Sequence, residues 1–358
     1  MKIKSVNIAK RNLRLSKPYS IAFKTIDVVE NGIIEITADD GSIGYGAFNP
    51  SYEVMGETLE HAMEAFETGK AEWLCGTDIS SRSVFDEVLA KVAIVFAGSP
   101  SARIGLDMAL YDLYAQSLGI PIVQLWGQKI IEMPTSITIG IKGVNETLEE
   151  AGDYLGRKFK ILKVKLGVAP EEDVERLVKL REVYGYGVDI IIDMNQGYSG
   201  PQMQWFYNRV KHLGIRLIEQ PFKKGEEALM RALDEDIKQL VAADESLIDA
   251  GDAVNLAAQP KACGFFNIKL MKCGGIQEAL AIAGIAQNNN IGLMWGCNDE
   301  SIISITAALH LAFVCPHTKF IDLDGSFDLA EDVVTGGFIL KDGVMSIPPK
   351  PGLGLQKI

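Results

Sequence analysis

Lys163-Val164-Lys165, Asp193-Met194-Asn195, Glu219-Gln220-Pro221, Asp244-Glu245-Ser246, Lys269, Cys297 and Asp322-Leu323-Asp324 stand at the ends of short apolar runs. Counted from Lys165, the intervals between them are 28, 26, 25, 25, 28 and 25 residues. That spacing accommodates one strand, one helix and two short loops. A cation, three carboxylates and a second cation delivered at that spacing read as a metal site flanked by lysines on one face of a barrel.

Side chains alternate along a strand, so Lys163 and Lys165 share one face and Leu162, Val164 and Leu166 the other. The apolar set suits a helix layer, which turns the lysines towards the barrel axis near its mouth. Inward lysines need counter-charges, because an unpaired buried ammonium is costly. Taken alone, the pair is equally compatible with an exposed strand carrying solvated lysines. Asp193, Glu219 and Asp244 end three successive runs. Converging carboxylates repel and stay ionised only when a cation joins them. Oxygen donors without a nearby histidine or cysteine suit a hard ion, and Mg²⁺ is expected. His61, His212, His310 and His317 lie off the strand ends, which argues against zinc. One such acid would read as a cap of the following helix. Three in succession favour the metal.

Lys269 arrives four strands after Lys165, roughly on the opposite wall of a closed barrel of eight strands, with the three carboxylate-bearing strands between them. A substrate carboxylate at the cation would present its α-carbon between the two lysines. One can then remove a proton from one face while the other returns a proton to the opposite face. The base must be neutral, and burial beside a like charge, Lys163 in the case of Lys165, lowers a lysine's pKa. A salt bridge from Lys269 to Asp244 or Glu245 is the structural alternative.

The elements that must position these residues fall into two patterns. Residues 3–15, 28–38 and 42–48 alternate with period two, and Asp40-Gly41 is a hairpin signal. Helical patterns follow at 57–69, 82–97 and 101–118, the last closing at Gly119 before Pro121. Strands followed by helices describe an α+β unit, taken as residues 1–125. From Met133 strands alternate with helices: 135–140, 161–166, 188–194, 215–219, 240–243, 265–270, 292–295 and 319–323. Residues 126–324 are therefore expected to form an α/β TIM-like (β/α)7β barrel, whose sites lie at the C-terminal ends of the strands. The last stretch, 325–358, has one strand-like piece and is expected to return to and complete the capping unit. A doubly wound sheet is the rival, but neither GxGxxG nor GxxxxGK[ST] is present.

A chain of 358 residues exceeds a single core, which fits a barrel plus a cap. The net charge of −12 argues against nucleic acid or an anionic membrane as partner. No signal peptide is evident, and the longest apolar stretch, 302–314, is too short to span a bilayer and contains His310. Five cysteines without a CxxC pair fit a reducing compartment. A cytoplasmic enzyme acting on a small molecule, and forming a homo-oligomer, is expected.

The set Lys163-x-Lys165, Asp193-x-Asn195, Glu219-Gln220-Pro221, Asp244-Glu245-Ser246 and Lys269-Leu270-Met271-Lys272-x-Gly274-Gly275 resembles the enolase superfamily, muconate lactonizing enzyme subgroup, over nearly the whole chain. The resemblance implies a lysine base and an enediolate stabilised by Mg²⁺. It also implies Asp193, Glu219 and Asp244 as metal ligands and Lys163, Lys165 and Lys269 as catalytic lysines, with Lys163 also facing the substrate. Within the subgroup, dipeptide epimerases carry a DxD pair for the dipeptide's amino group where this chain has Asp322 and Asp324. That pair reads equally as a turn cap at Gly325 and a partner for a lysine. Cys297 and Thr135 match positions that line the pocket in these epimerases, although Cys297 also suits a buried structural role. The cap loops are expected to choose the side chain. Members selective for Ala-Glu place an arginine where this chain has Ala22-Phe23-Lys24-Thr25, and the second loop offers Met55. Lys24 lacks arginine's bidentate fork, and Met55 and Phe23 can equally pack within the cap. The expectation is a Mg²⁺-dependent epimerase of Ala-Xaa dipeptides, Xaa being small, apolar or Glu. The alternatives are a cycloisomerase, an o-succinylbenzoate synthase, an N-acylamino acid racemase, or a metal-binding barrel used as a scaffold.

Overall fold

The structure is a computed structural model and describes residues 1–21, 24–67 and 69–358, with the backbone alone at 17–21 and 24–26. Ala22 and Phe23, and the side chain of Lys24, lie outside the described residues. Eight strands form one sheet: Ser136–Ile139, Ile161–Lys165, Asp189–Asp193, Ile215–Glu219, Val241–Ala243, Phe265–Ile268, Gly292–Trp295 and Thr318–Ile321. They pair in sequence order, each parallel to the next. A parallel bridge from Thr135 to Ile321 joins the last strand to the first and closes the barrel. Helices fill all seven connections, and among the described residues none follows the eighth strand. The fold is the (β/α)7β barrel expected from the repeat.

Alternation along each strand sorts the barrel interior into layers. Ile161, Ile191, Leu217, Ala242, Met294 and Phe320 form a separate buried cluster, with Phe265 packed against it. Two residues further along the same strands come Lys163, Asp193, Glu219, Asp244, Asn267 and Asp322. An apolar plug thus fills the bottom of the barrel and lifts a charged layer to its mouth. The opposite faces, including Leu162, Val164, Ile190, Ile192 and Ile218, join the main core beneath the helices. The helix Pro170–Tyr184 shows how the outer layer is started and stopped. Proline opens it, Glu171, Glu172 and Asp173 occupy its first turn, Arg181 its last, and Gly185 follows at φ 65°.

The cap begins with an antiparallel sheet of Ile3–Ile21, Lys24–Ala38 and Ile43–Phe48. The first two strands run well past the limits read from sequence, with a register shift between Arg14 and Tyr19. Pro18 lies within that shift, and a residue without an N–H cannot hold the ladder there. The helix Pro100–Ser117 lies directly on the third strand. A Cβ at Gly46 would stand 1.9 Å from the Gly105 carbonyl oxygen, so only glycine permits this approach. The C-terminal segment contains four short strands rather than one: Val334–Gly336, Ile339–Lys341, Val344–Ser346 and Leu355–Lys357. Asp112, on the long cap helix, accepts from Tyr45 N at 2.9 Å and from Leu353 N at 2.7 Å, joining that segment to the cap sheet. Asp328 O accepts from Ser16 N, and Ala330 N donates to Arg14 O, each at 2.7 Å. No helix among the described residues is long and apolar enough to cross a membrane, and all five cysteines are free.

His310 lies inside the apolar helix Ile302–Val314, fully buried, with Nδ1 accepting from Val123 N at 3.0 Å. Burial pushes its pKa down to about 3. A depressed histidine supports the fold above its unfolded value near 6.5, and that support is lost as pH falls towards 3. Between those limits the residue should remove about 1.4 kcal/mol of stability per pH unit. Denaturant unfolding of His310→Gln should therefore show a correspondingly shallower acid limb than the wild type. Parallel profiles would contradict this reading.

Candidate active site

The charged layer at the mouth is a closed network. Lys163, only 5% exposed, places Nζ 2.8 Å from Asp322 Oδ2, 2.9 Å from Glu219 Oε2 and 3.2 Å from Asp193 Oδ2. Burial alone would lower this lysine, but Asp322, then Glu219 and Asp193, raise its pKa well above the ordinary value. Lys163 was expected to act as a like charge beside Lys165. Three carboxylates instead neutralise it, because alternation on adjacent strands brings them to its own level. Lys165 stands one step higher, with Nζ 3.4 Å from Asp193 Oδ2 and 3.2 Å from Asn195 Oδ1.

Across the barrel, Lys269 Nζ lies 2.7 Å from Asp244 Oδ2. Burial would lower its pKa, yet Asp244 and Glu219 outweigh burial and raise it. The salt bridge considered from sequence is thus present. Asp244 is also held by Lys272, which donates to its carboxylate in a short bond and to its carbonyl at 2.6 Å. Burial would raise Asp244, but Lys269 and Lys272 hold it well below the usual carboxylate range. Asp193 is lowered in the same way, by Lys163 and Lys165 against burial. Glu219 is pushed up to about 8, by burial first and then by Asp193.

Glu219 Oε1 accepts from Asn267 Nδ2 at 2.8 Å. Its Oε2 is buried and, although near Lys163, lacks a hydrogen bond of acceptable angle. Among the described residues, no three His, Cys, Asp or Glu side chains stand gathered as a ready metal shell. Their carboxylates are turned towards lysine ammoniums instead. The donor set still fits a hard divalent cation. Asp193 and Glu219 are register partners on adjacent strands, Asp244 immediately follows the next strand, and Glu219 keeps an orphaned buried oxygen.

The eighth strand completes the ring. Asp322 Oδ1 accepts from the Ser136 hydroxyl, while Asp324 Oδ2 accepts from Thr138 N at 2.8 Å. Asp324 is half-buried, and burial together with Asp322 pushes it up to about 7. Cys297 Sγ lies 3.2 Å from the Asp322 carbonyl and accepts from Gly325 N at 3.3 Å, which fastens the ends of strands seven and eight together. Burial, with Asp324 nearby, raises its thiol well above the ordinary value.

Thr135 is not brought to the mouth. It is fully buried, accepts from Leu323 N at 3.0 Å and has its hydroxyl 3.1 Å from the Ser136 carbonyl, which places it in the closing seam. Alternation explains the difference: Ser136, one residue on, faces Asp322. Met55 is half-buried on the short helix Tyr52–Met55. That loop approaches the barrel through Asn49, whose N lies 3.2 Å from Met271 Sδ and whose Nδ2 donates to the Asp299 carbonyl at 3.2 Å. Sequence reasoning missed Asn267, Ser136 and Thr138, and it quoted Lys272 within a motif without giving it a role. Asn267 was legible, since it precedes Lys269 by two residues and so shares its face. Two cavities of about 510 and 530 Å³ open elsewhere, one near Arg82, Arg103 and Gln277, the other near Ser42, Gln116 and Lys350.

Comparison with known proteins agrees with this geometry. Residues 3–127 match the family described as "Mandelate racemase / muconate lactonizing enzyme, N-terminal domain", and residues 145–357 match "Enolase C-terminal domain-like". The chain belongs to the enolase superfamily, in its mandelate racemase/muconate lactonizing enzyme branch. Within that branch it is an isomerase of the dipeptide-epimerase kind. An L-Lys-D/L-Arg epimerase of Methylococcus capsulatus is 48% identical over 355 residues, 99% of each chain. An L-Ala-D/L-Glu epimerase of Clostridium acetobutylicum is 32% identical over 100% of this chain and 99% of its own. A crystal structure of a dipeptide epimerase from Methylococcus capsulatus, complexed with Mg and the dipeptide L-Arg-D-Lys, superimposes with a TM-score of 0.95 at 48% identity, covering 99% of both chains.

Removing the Asn267 donor should loosen Glu219 without touching the cation directly. Titration calorimetry of Asn267→Ala should show Mg²⁺ affinity lower by about 10-fold or more. Unchanged affinity would mean that Asn267 does not orient a metal ligand.

Proposed function

We propose that this chain is a Mg²⁺-dependent epimerase of dipeptides with basic side chains, inverting the α-carbon of the C-terminal residue. The observation that carries the basic preference is the acidity of the mouth. Asp299 and Glu300 follow the seventh strand, Asp322 and Asp324 the eighth, and Glu53 lies on the neighbouring cap loop, with no arginine in 51–57, 296–301 or 321–328. Asp322 is paired with Lys163, whereas among the described residues no cationic side chain is in ion-pair contact with Asp324. The similarity to an L-Lys-D/L-Arg epimerase supports the same side-chain class. This reading replaces the Ala-Xaa preference that rested on Lys24 and Met55.

Asp193, Glu219 and Asp244 are the residues that would hold Mg²⁺. When bound, the cation balances these carboxylates and that of the substrate, making the α-proton more acidic. A neutral lysine then accepts the α-proton, the electron pair it leaves delocalises into the substrate carboxylate, and the opposite lysine's ammonium delivers a proton to the other face. Lys165 and Lys269 occupy the two sides. Lys163 is the fixed positive charge that keeps Asp193, Glu219 and Asp322 together. Asp324, with Asp322 behind it, receives the dipeptide's ammonium through a charge-assisted hydrogen bond, and Cys297 forms the wall beside them.

In D₂O with Mg²⁺, mass spectrometry of a dipeptide panel should show deuterium entering the C-terminal α-carbon of L-Lys-L-Arg and L-Arg-L-Lys at least about tenfold faster than L-Ala-L-Glu, a gap that needs only about 1.4 kcal/mol of discrimination. A preference for L-Ala-L-Glu would reject the basic class, and no exchange in any dipeptide would reject the epimerase. Asp324→Asn should lower kcat/KM for a free dipeptide by about 30-fold or more, chiefly through KM, as expected when one partner of a desolvated charge pair is lost. An N-acetylated dipeptide, lacking the ammonium, should respond equally poorly to both proteins. An unchanged KM would remove Asp324 from the amino-group site.

A further inference from the structure

The end of the second barrel strand is secured by a buried polar network that the chemistry above does not use. Lys165 has weak anchors at its tip. Its contacts to Asp193 and Asn195 are 3.4 and 3.2 Å, and its side chain is 37% exposed. Lys269, by comparison, meets Asp244 at 2.7 Å with 13% of its side chain exposed. An ammonium on a flexible four-carbon stem with contacts that long takes its position mainly from its backbone.

That backbone is gripped from the helix side. Arg176 Nη1 donates to the Lys165 carbonyl at 3.1 Å, and Nη2 donates to Asp173 Oδ1 in a short charge-assisted bond. Asp173 Oδ2 accepts from Gly167 N at 2.9 Å and from the Tyr198 hydroxyl at 2.8 Å. Asp173, Arg176 and Tyr198 are all buried. One guanidinium–carboxylate pair therefore joins Lys165, the turn just after it and the turn after the third strand. Those two turns meet backbone to backbone. Gly167 adopts φ 104°, and a Cβ there would stand 2.2 Å from the Met194 carbonyl oxygen. The last residue of the third strand, Asp193, and Asn195 just beyond it are the two groups that face Lys165 Nζ. The network thus fixes the lysine and its partners relative to each other.

A buried ion pair is weak evidence of added stability, since desolvation offsets much of its attraction. This one is aimed at the carbonyl of a proton-transferring residue. We infer that Arg176, Asp173 and Tyr198 are positioning residues for Lys165 and set its reach to one face of the substrate α-carbon. The inference rests on the two-lysine reading proposed above. Among the described residues no hydrogen bond or ion pair joins Lys269, on the opposite wall, to this network, so the two faces respond differently when it is disturbed.

The test uses the Mg²⁺-loaded enzyme and each pure epimer of L-Arg-Lys in D₂O, with exchange and inversion followed by ¹H NMR. Arg176→Lys keeps the charge but cannot reach both oxygens, and Tyr198→Phe removes one hydroxyl from the same network. With the epimer served by Lys165, both exchange and inversion should fall, by about 10- to 100-fold in Arg176→Lys and less in Tyr198→Phe, as expected for a displacement near 1 Å. With the other epimer, exchange without inversion should continue near the wild-type rate, and KM should stay within about twofold, because substrate binding is untouched. Should Arg176→Lys fail to fold, Tyr198→Phe carries the same comparison. Equal losses for both epimers, or no loss in either variant, would overturn the inference. Absence of exchange in the wild type would instead remove the two-lysine reading, and the inference with it.

Discussion

Buried charge must be balanced, and at this barrel's mouth the balance is struck by position along the strands. Lys163 lies among Asp193, Glu219 and Asp322, and Asp244 lies between Lys269 and Lys272. None of these groups is affordable alone, since an isolated buried ion costs several kcal/mol. Together they form a lattice whose members stay in place because each neutralises another. The apolar layer beneath, from Ile161 to Phe320, excludes water from below and makes that pairing obligatory.

The two proton-transferring lysines are supported differently. Lys269 is buried against Asp244 and stands one turn before Lys272, so its surroundings are largely electrostatic. Lys165 is more exposed and takes its place from a strand end held by hydrogen bonds to the outer helix. An epimerase acting in both directions needs both lysines at the same α-carbon. The cap adds the remaining wall through the loop around Asn49, which touches the segments that follow strands six and seven. The C-terminal segment, fastened by Asp112 to the cap sheet, links that wall to the last barrel strand.

Much of this was legible in the sequence because a strand–helix repeat places residues at fixed angles around an axis. The spacing from Lys165 to Asp322 gave the strand order, and period-two alternation gave the inward set. Where the reading failed, the failures were of register and charge. Thr135 and Ser136 are adjacent, so a shift of one residue exchanges a seam hydroxyl for one that faces Asp322. Lys163 was read only as a like charge beside Lys165, because sequence shows that neighbour two residues away but not the three carboxylates across the strands. Asn267 shares the face of Lys269 and could have been found by the rule that found Lys163. The pairing of Lys272 with Asp244 could not be read, since it depends on a single helical turn, Leu270–Cys273. The side chain of the substrate was least legible, because the acids proposed to select it are dispersed over three loops.

The central claim is that Lys165 and Lys269 address opposite faces of one α-carbon, and removing them one at a time tests it most directly. Lys165→Ala and Lys269→Ala, each given both epimers of a basic dipeptide in D₂O with Mg²⁺, should both lose inversion. Each should retain deuterium exchange with one epimer only, and the two variants should retain opposite epimers. Exchange of both epimers by either variant, or retention of the same epimer by both, would contradict a two-lysine mechanism.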